Sequence, residues 1–251
     1  MAGPLLNFDP DREEAELREY LGDAFDRADL EGHQARLEEE FARSADEASF
    51  YRSSRGYLYD LTVFAMSGTK APYLAELTRL VPPGSRVLDY GCGIGSDGLI
   101  LLEAGYRVEF ADFENPSAEY LRWRLRRRGF EAAVHDIDAG VPDGFAAAYA
   151  FDVIEHVDDP FGFVEALEGR ADLVMVNLLE AQPDEIDLHH QLPVADLLRR
   201  AAGRRLRSYG IHHGRSHLVA YEPAASGRLR RTASRALVSG RRLRGRVERA
   251  R

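Results

Sequence analysis

The spacing of apolar positions changes at residue 86 of this 251-residue chain. Before that point they recur at helical intervals. In the polar, acidic stretch 8–50, Leu17, Tyr20, Leu21, Ala24 and Ala28 fall on one helix face, with Asp9 as N-cap and Pro10 at the first helical position. A second helical stretch, FYRSSRGYLYDLTVFAMSGTKAPYLAELTRL (50–80), is rich in Tyr and Phe and stops at VPPGS. From Arg86 short apolar runs alternate with helical ones: RVLDY, a helix near SDGLILLEAG, RVEFAD, a helix near SAEYLRWRLRRRG, AAVHD, AYAFDVI, a helix near FGFVEALEG, then DLVMVNL. A helix over 193–202 and a strand SHLVAYEP (216–223) complete the series. Apolar strands alternating with helices predict an α/β fold, a Rossmann-like doubly wound, mainly parallel sheet covered on both faces. Three segments follow: an N-terminal helical extension or lid (1–80), a core (81–223), and a tail (224–251) without a sustained apolar face, expected to be mobile.

Composition narrows the setting. Hydrophobic residues at 45% and charged residues at 30% are globular values, and no apolar run approaches a membrane span. The first residues lack the basic start and apolar stretch of a secretory signal, and Cys92 is the only cysteine. A cytoplasmic protein without disulfides is expected. The net charge of −9 is unevenly spread: residues 228–251 hold ten Arg and one Glu, so the rest carries −18.

Chemistry concentrates in VLDYGCGIGSDG (87–98), where Gly91, Gly93 and Gly95 occupy alternate positions between a strand and a helix. Glycine lets backbone approach a ligand and adopt positive φ, and the helix N-terminus favours an anionic group. Asp112 ends the next predicted strand, seventeen residues past Gly95, where a carboxylate can accept from both ribose hydroxyls; Glu114 is its rival. Loop and acid together point to a nucleoside cofactor. The glycines do not follow the dinucleotide pattern G-x-G-x-x-G, because Ser96 takes the third position.

With Asp89 ahead of the loop, VLDYGCGIG resembles the first motif of the class I S-adenosylmethionine-dependent methyltransferases. The resemblance runs over roughly 84–180 through VEFADFE, HDIDAGVP and FDVIEHVDDP, the last similar to small-molecule enzymes of the ubiquinone-biosynthesis and natural-product type. It implies the class I methyltransferase fold and S-adenosyl-L-methionine as cofactor. It further implies that Asp89 and the Gly91, Cys92, Gly93 and Gly95 loop hold the methionine part, with Cys92 packed behind the loop. By the same token Asp112 holds the ribose, Asp136 and Ile137 the adenine, with Phe113 beside it, and Glu155 lines the cofactor pocket.

Methyl transfer needs an aligned nucleophile and, for a hydroxyl or ammonium acceptor, a group that removes a proton. Candidates are His156 after the fourth strand and His189 or His190 after the fifth. His212, His213 and His217 form another cluster, but with Asp187 and the other histidines they lack metal-ligand spacing, so no metal is expected. Tyr51, Tyr57 and Tyr59 would line an acceptor pocket under an aromatic lid, with Lys70, Arg52 and Arg55 suited to an anionic acceptor. The same segment also suits packing on the sheet or a homodimer interface. The expected reaction is methylation of a small-molecule acceptor at O, N or C, in secondary or cofactor metabolism. Its alternatives are an RNA or protein methyltransferase using the basic tail, a nicotinamide-dependent oxidoreductase, and a non-catalytic S-adenosylmethionine-binding subunit.

Overall fold

A computed structural model describes residues 6–181 and 190–225. The chain divides into two units, 1–141 and 142–251.

The first unit opens with six helices: α1 Pro10–Leu21, α2 Arg27–Glu31, α3 His33–Arg43, α4 Glu47–Ser53, α5 Gly56–Met66 and α6 Ala71–Leu80. Helix α1 starts where the sequence predicts, the Asp9 carboxylate accepting from the Arg12 N–H with Pro10 next. It stops earlier than the apolar spacing suggests, because Gly22 turns the chain at φ 54°. Ala24 and Ala28 therefore lie beyond it, and Leu17 carries the buried face. The aromatic stretch 50–80 is likewise divided among the end of α4, α5 and α6.

Strands β1 Arg86–Tyr90, β2 Arg107–Asp112 and β3 Val134–Asp136 follow, in the order β3-β2-β1 and all parallel. Helices α7 Ser96–Glu103 and α8 Pro116–Arg128 are the crossovers between them. Asn115 caps α8 by accepting from the Ala118 N–H at 2.9 Å, and Gly129 closes it in the left-handed region. Val87, Leu88 and Asp89 are all buried, so the first strand is covered on both faces.

The second unit holds β4 Ala147–Ala150, α9 Pro160–Glu168, β5 Val174–Leu179, α10 Val194–Gly203, β6 Arg204–His212 and β7 Ser216–Ala225. Here β4 and β5 are parallel, while β7 runs antiparallel to both β5 and β6. Two departures from the sequence pattern stand out. The run AYAFDVI forms a strand only to Ala150, because Asp152 adopts φ 55° and Ile154–His156 coil into a 3-10 turn. The stretch RRLRSYGIH, too arginine-rich to read as apolar, is the outer strand of a hairpin with SHLVAYEP. Alternation of buried and open positions along β6 is weak, as suits a strand paired on one side.

With helices ahead of the first strand and parallel strands joined by helices, the fold is a Rossmann-like, mostly parallel α/β architecture with an N-terminal helical extension. No helix among the described residues is long and apolar enough to cross a membrane.

Candidate functional site

The loop after β1 is built from three glycines in the left-handed region: Gly91 at φ 73°, Gly93 at 52° and Gly95 at 72°. Any other residue there is strained. Packing adds a second demand, since a Cβ on Gly95 would lie 2.3 Å from Leu121 Cδ1 and one on Gly93 would lie 2.9 Å from Leu61 Cδ1. The loop is tied to the neighbouring strand by N–H groups of Gly91 and Cys92, which donate to the Ala111 carbonyl at 2.8 and 3.2 Å. Helix α7 then begins without a side-chain cap.

Asp112 stands at the end of β2, directly against this loop. One carboxylate oxygen accepts from the Gly93 N–H at 2.6 Å and the other from its neighbour, the Phe113 N–H, at 2.7 Å. The side chain keeps some surface open, yet burial pushes its carboxyl above the ordinary range against the pull of these bonds. Asp136 is its register partner on β3; its carboxylate accepts from the Asp138 N–H at 3.0 Å, and the Ile137 N–H donates to the Asp112 carbonyl at 3.0 Å. Asp89 is buried on β1. Burial, with Asp112 and Asp89 nearby, pushes the Cys92 thiol well up.

Helix α4 covers the Asp112 end of the strands. The Tyr51 carbonyl accepts from Asn115 Nδ2 at 3.1 Å, and the Arg52 guanidinium sits 4.3 Å from the Phe113 ring centroid while reaching Asp138 at 2.5 Å. The rings of Tyr51 and Tyr57 lie 5.6 Å apart, both edge-on to Phe50. Tyr59 goes elsewhere. It is buried among Leu17, Leu30 and Leu58, and its hydroxyl accepts from the Asp26 N–H at 3.0 Å. Lys70 lies 3.3 Å from the Asp97 carboxylate, beside a cavity of about 40 Å³ that Cys92, Ile94 and Ser96 also line.

In the second unit Glu155 is buried within the 3-10 turn, and its carbonyl accepts from the His190 N–H at 2.7 Å. His156 is half-buried in the same turn; the His190 ring is exposed, 3.7 Å from the Asp158 carboxylate. His189 and Asp187, and the tail from residue 226, lie outside the described residues.

Two polar groupings in this unit escape motif reading. Asp152, held at positive φ, makes a ring with fully buried Asn177: its N–H donates to Asn177 Oδ1 at 2.7 Å and its carboxylate accepts from Asn177 Nδ2 at 2.6 Å. Its other oxygen is buried without a hydrogen-bond partner among the described residues. Strain of this kind in a non-glycine residue gathers at functional positions. Beyond β5, Glu180 meets the buried His217 ring at 2.9 Å, and His217 meets the Tyr209 hydroxyl at 2.7 Å. The readable signal was the alternation that puts Tyr209 and His217 on one face, available once RRLRSYGIH is paired with SHLVAYEP. Among the described residues no group of His, Cys, Asp and Glu is arranged to hold a metal ion.

Comparison with known proteins agrees with this geometry. Residues 66–181 match the model of a methyltransferase domain. A ubiquinone biosynthesis O-methyltransferase from Xanthomonas campestris pv. campestris is 28% identical over 107 residues, which is 41% of this chain and 44% of that protein. The match thus spans less than half the length of the curated relative. Among solved structures, magnesium protoporphyrin IX methyltransferase from Synechocystis PCC 6803 with bound S-adenosylhomocysteine aligns with TM-score 0.54 at 15% identity, covering 83% of this chain and 99% of that one. An O-methyltransferase family protein from Burkholderia thailandensis aligns with TM-score 0.54 at 12% identity, over 79% and 72% of the two chains. With the glycine loop and its strand-end acid in place, the chain has the fold of the class I S-adenosylmethionine-dependent methyltransferases.

Proposed function

We propose that the protein transfers a methyl group from S-adenosylmethionine to a small-molecule acceptor. The observation that carries this reading is the Asp112 carboxylate, 2.6 Å from the Gly93 N–H of a loop whose three glycines are all left-handed. The donor set suits such a cofactor. Glycines keep side chains off the loop, α7 starts uncapped, and acids end two neighbouring parallel strands.

When bound, the cofactor supplies a methyl group on a positively charged sulfur. The backbone of Gly91, Cys92, Gly93 and Gly95, with Asp89, would hold its amino-acid end. Asp112 would take the ribose hydroxyls, a task that fits an oxygen pair already accepting from N–H donors. Asp136 and Ile137 would recognise the adenine, and Phe113, braced by Arg52, would pack on it. We assign Tyr51 and Tyr57 to the acceptor, Glu155 to the lining of the pocket, and removal of the acceptor's proton to His156 or to the His189–His190 pair. Lys70 serves an anionic acceptor only if it exchanges its contact with Asp97.

Calorimetry with S-adenosylhomocysteine and with NADH tests the donor assignment. The sulfur nucleoside should bind and Asp112→Asn should weaken it more than tenfold, while NADH gives no heat; the reverse result sinks the reading. Incorporation of labelled methyl groups in an acceptor screen then separates an enzyme from a binding subunit.

A further inference from the structure

We infer that helix α1 is part of the donor site at one remove: Glu13, acting with Arg124, sets the conformation of the glycine loop through Ser96 and the Ile94 carbonyl. The inference rests on reading that loop as the donor site.

The arrangement is a closed ring of hydrogen bonds. Arg124, wholly buried on α8, donates through Nη1 to the Ile94 carbonyl at 2.9 Å and to Ser96 Oγ at 2.8 Å. Its Nη2 donates to Glu13 Oε1 at 2.6 Å, and Ser96 Oγ donates to Glu13 Oε2 at 2.7 Å. Glu16 holds the guanidinium from its remaining side, accepting from Nε at 2.8 Å. A device serving only to fasten α1 to α8 would need the glutamates and the arginine. The two bonds that end on loop atoms have a different effect.

The peptide joining Ile94 to Gly95 turns about φ of a left-handed glycine on its Gly95 side, where no Cβ limits its rotation. Rotation of that peptide would re-aim the backbone on which the methionine part depends. Arg124 fixes the carbonyl end of the plane, and the Gly95 N–H end is fixed by the Cys92 carbonyl at 2.8 Å. Ser96 is the first residue of α7, next to a cap position where Gly95 offers no side chain to the helix's N–H groups. Here its bonds go to Glu13 and Arg124, and the helix start is left uncapped. Burial of a charged cluster is a poor way to gain stability, since apolar residues of the same volume do as well or better. Fixing one loop geometry is a use that apolar packing would not serve, because only a polar ring can grip a carbonyl and a hydroxyl.

The test uses the full chain and two probes: S-adenosylhomocysteine, and methylthioadenosine, which lacks the amino-acid end. Ser96→Ala and Glu13→Gln should each weaken S-adenosylhomocysteine by roughly tenfold, the value of one lost charge-assisted hydrogen bond. Methylthioadenosine should change by less than about twofold, because Asp112 and Asp136 are untouched. Unchanged affinity for both probes overturns the inference. So does an equal loss for both that follows a fall in melting temperature, the mark of a merely structural ring. If wild-type protein binds neither probe, it is the donor-site reading that fails.

Discussion

Glu16 and Asp112 are two carboxylates withdrawn from solvent in the same unit, and their surroundings push them in opposite directions. For Glu16 burial favours the neutral acid, but hydrogen bonds from Arg128 and the charges of Arg124 and Arg128 outweigh it and hold the carboxyl below the usual range. Asp112 is desolvated too, yet it accepts from the Gly93 and Phe113 N–H groups and the Asn115 amide, none carrying a charge, and its carboxyl is pushed up. The first acid is satisfied by the fold. The second holds its charge at a cost, a property expected of a group reserved for a ligand. Perturbation alone therefore does not mark a functional acid; the direction and the identity of the partners do.

The contrast can be broken most forcefully at Glu16. Glu16→Ala leaves Arg124 and Arg128 buried beside a single glutamate from α1, and loss of one partner from a buried pair costs about 3–5 kcal/mol. Denaturant unfolding should show a loss of that order, larger than for Asp112→Asn. A smaller loss at Glu16 than at Asp112 would reverse the assignment of roles.

A gentler probe is pH. Glu16 has a folded-state pKa below its unfolded value near 4.5, so its contribution is complete above that pH and disappears as pH falls through the depressed value. For Asp112 the folded value lies above 3.8, so its penalty is complete above the raised value and fades as pH drops through it. Measured without ligand, the stability gap between wild type and Glu16→Gln should close on acidification. The gap attributable to the Asp112 charge should move with the opposite sign, and parallel profiles would contradict the comparison.

The smallest effect is expected at Tyr59. Removing its hydroxyl takes a partner from the Asp26 N–H and ends a long 3.4 Å donation to the Ala24 carbonyl, and Tyr59→Phe should cost about 1 kcal/mol while leaving S-adenosylhomocysteine affinity unchanged. A loss of affinity there would tie Tyr59 to the donor site as well as to the helical core.

How far the sequence could be read depended on how local each signal was. The glycine loop, Asp112 and Asp136 sit at strand ends, where period and turn chemistry are decided within a few residues, and the alternation of strand and helix carried the fold class. The ionic ring was hidden. Glu16 and Arg124 are 108 residues apart, and acids on α1 or arginines in RWRLRRR look like the solvated faces that most charged helices present. Only the three-residue step from Glu13 to Glu16 and the four-residue step from Arg124 to Arg128, each on one helix face, hinted at a shared partner. Asp152 was equally obscure, since nothing in AYAFDVI announces that an aspartate will turn the chain out of its strand.

Helix α1 also bears on where a working piece of this protein can be cut. The segment that matches the methyltransferase domain begins at residue 66 and includes Arg124, a wholly buried cation, but none of the acids of α1 that neutralise it. A fragment trimmed to that segment would carry an unmet charge in its interior and a bare face on α8. The matched segment is therefore shorter than the set of residues that meets its own buried charge, and expression boundaries drawn from similarity alone would discard the partners of Arg124.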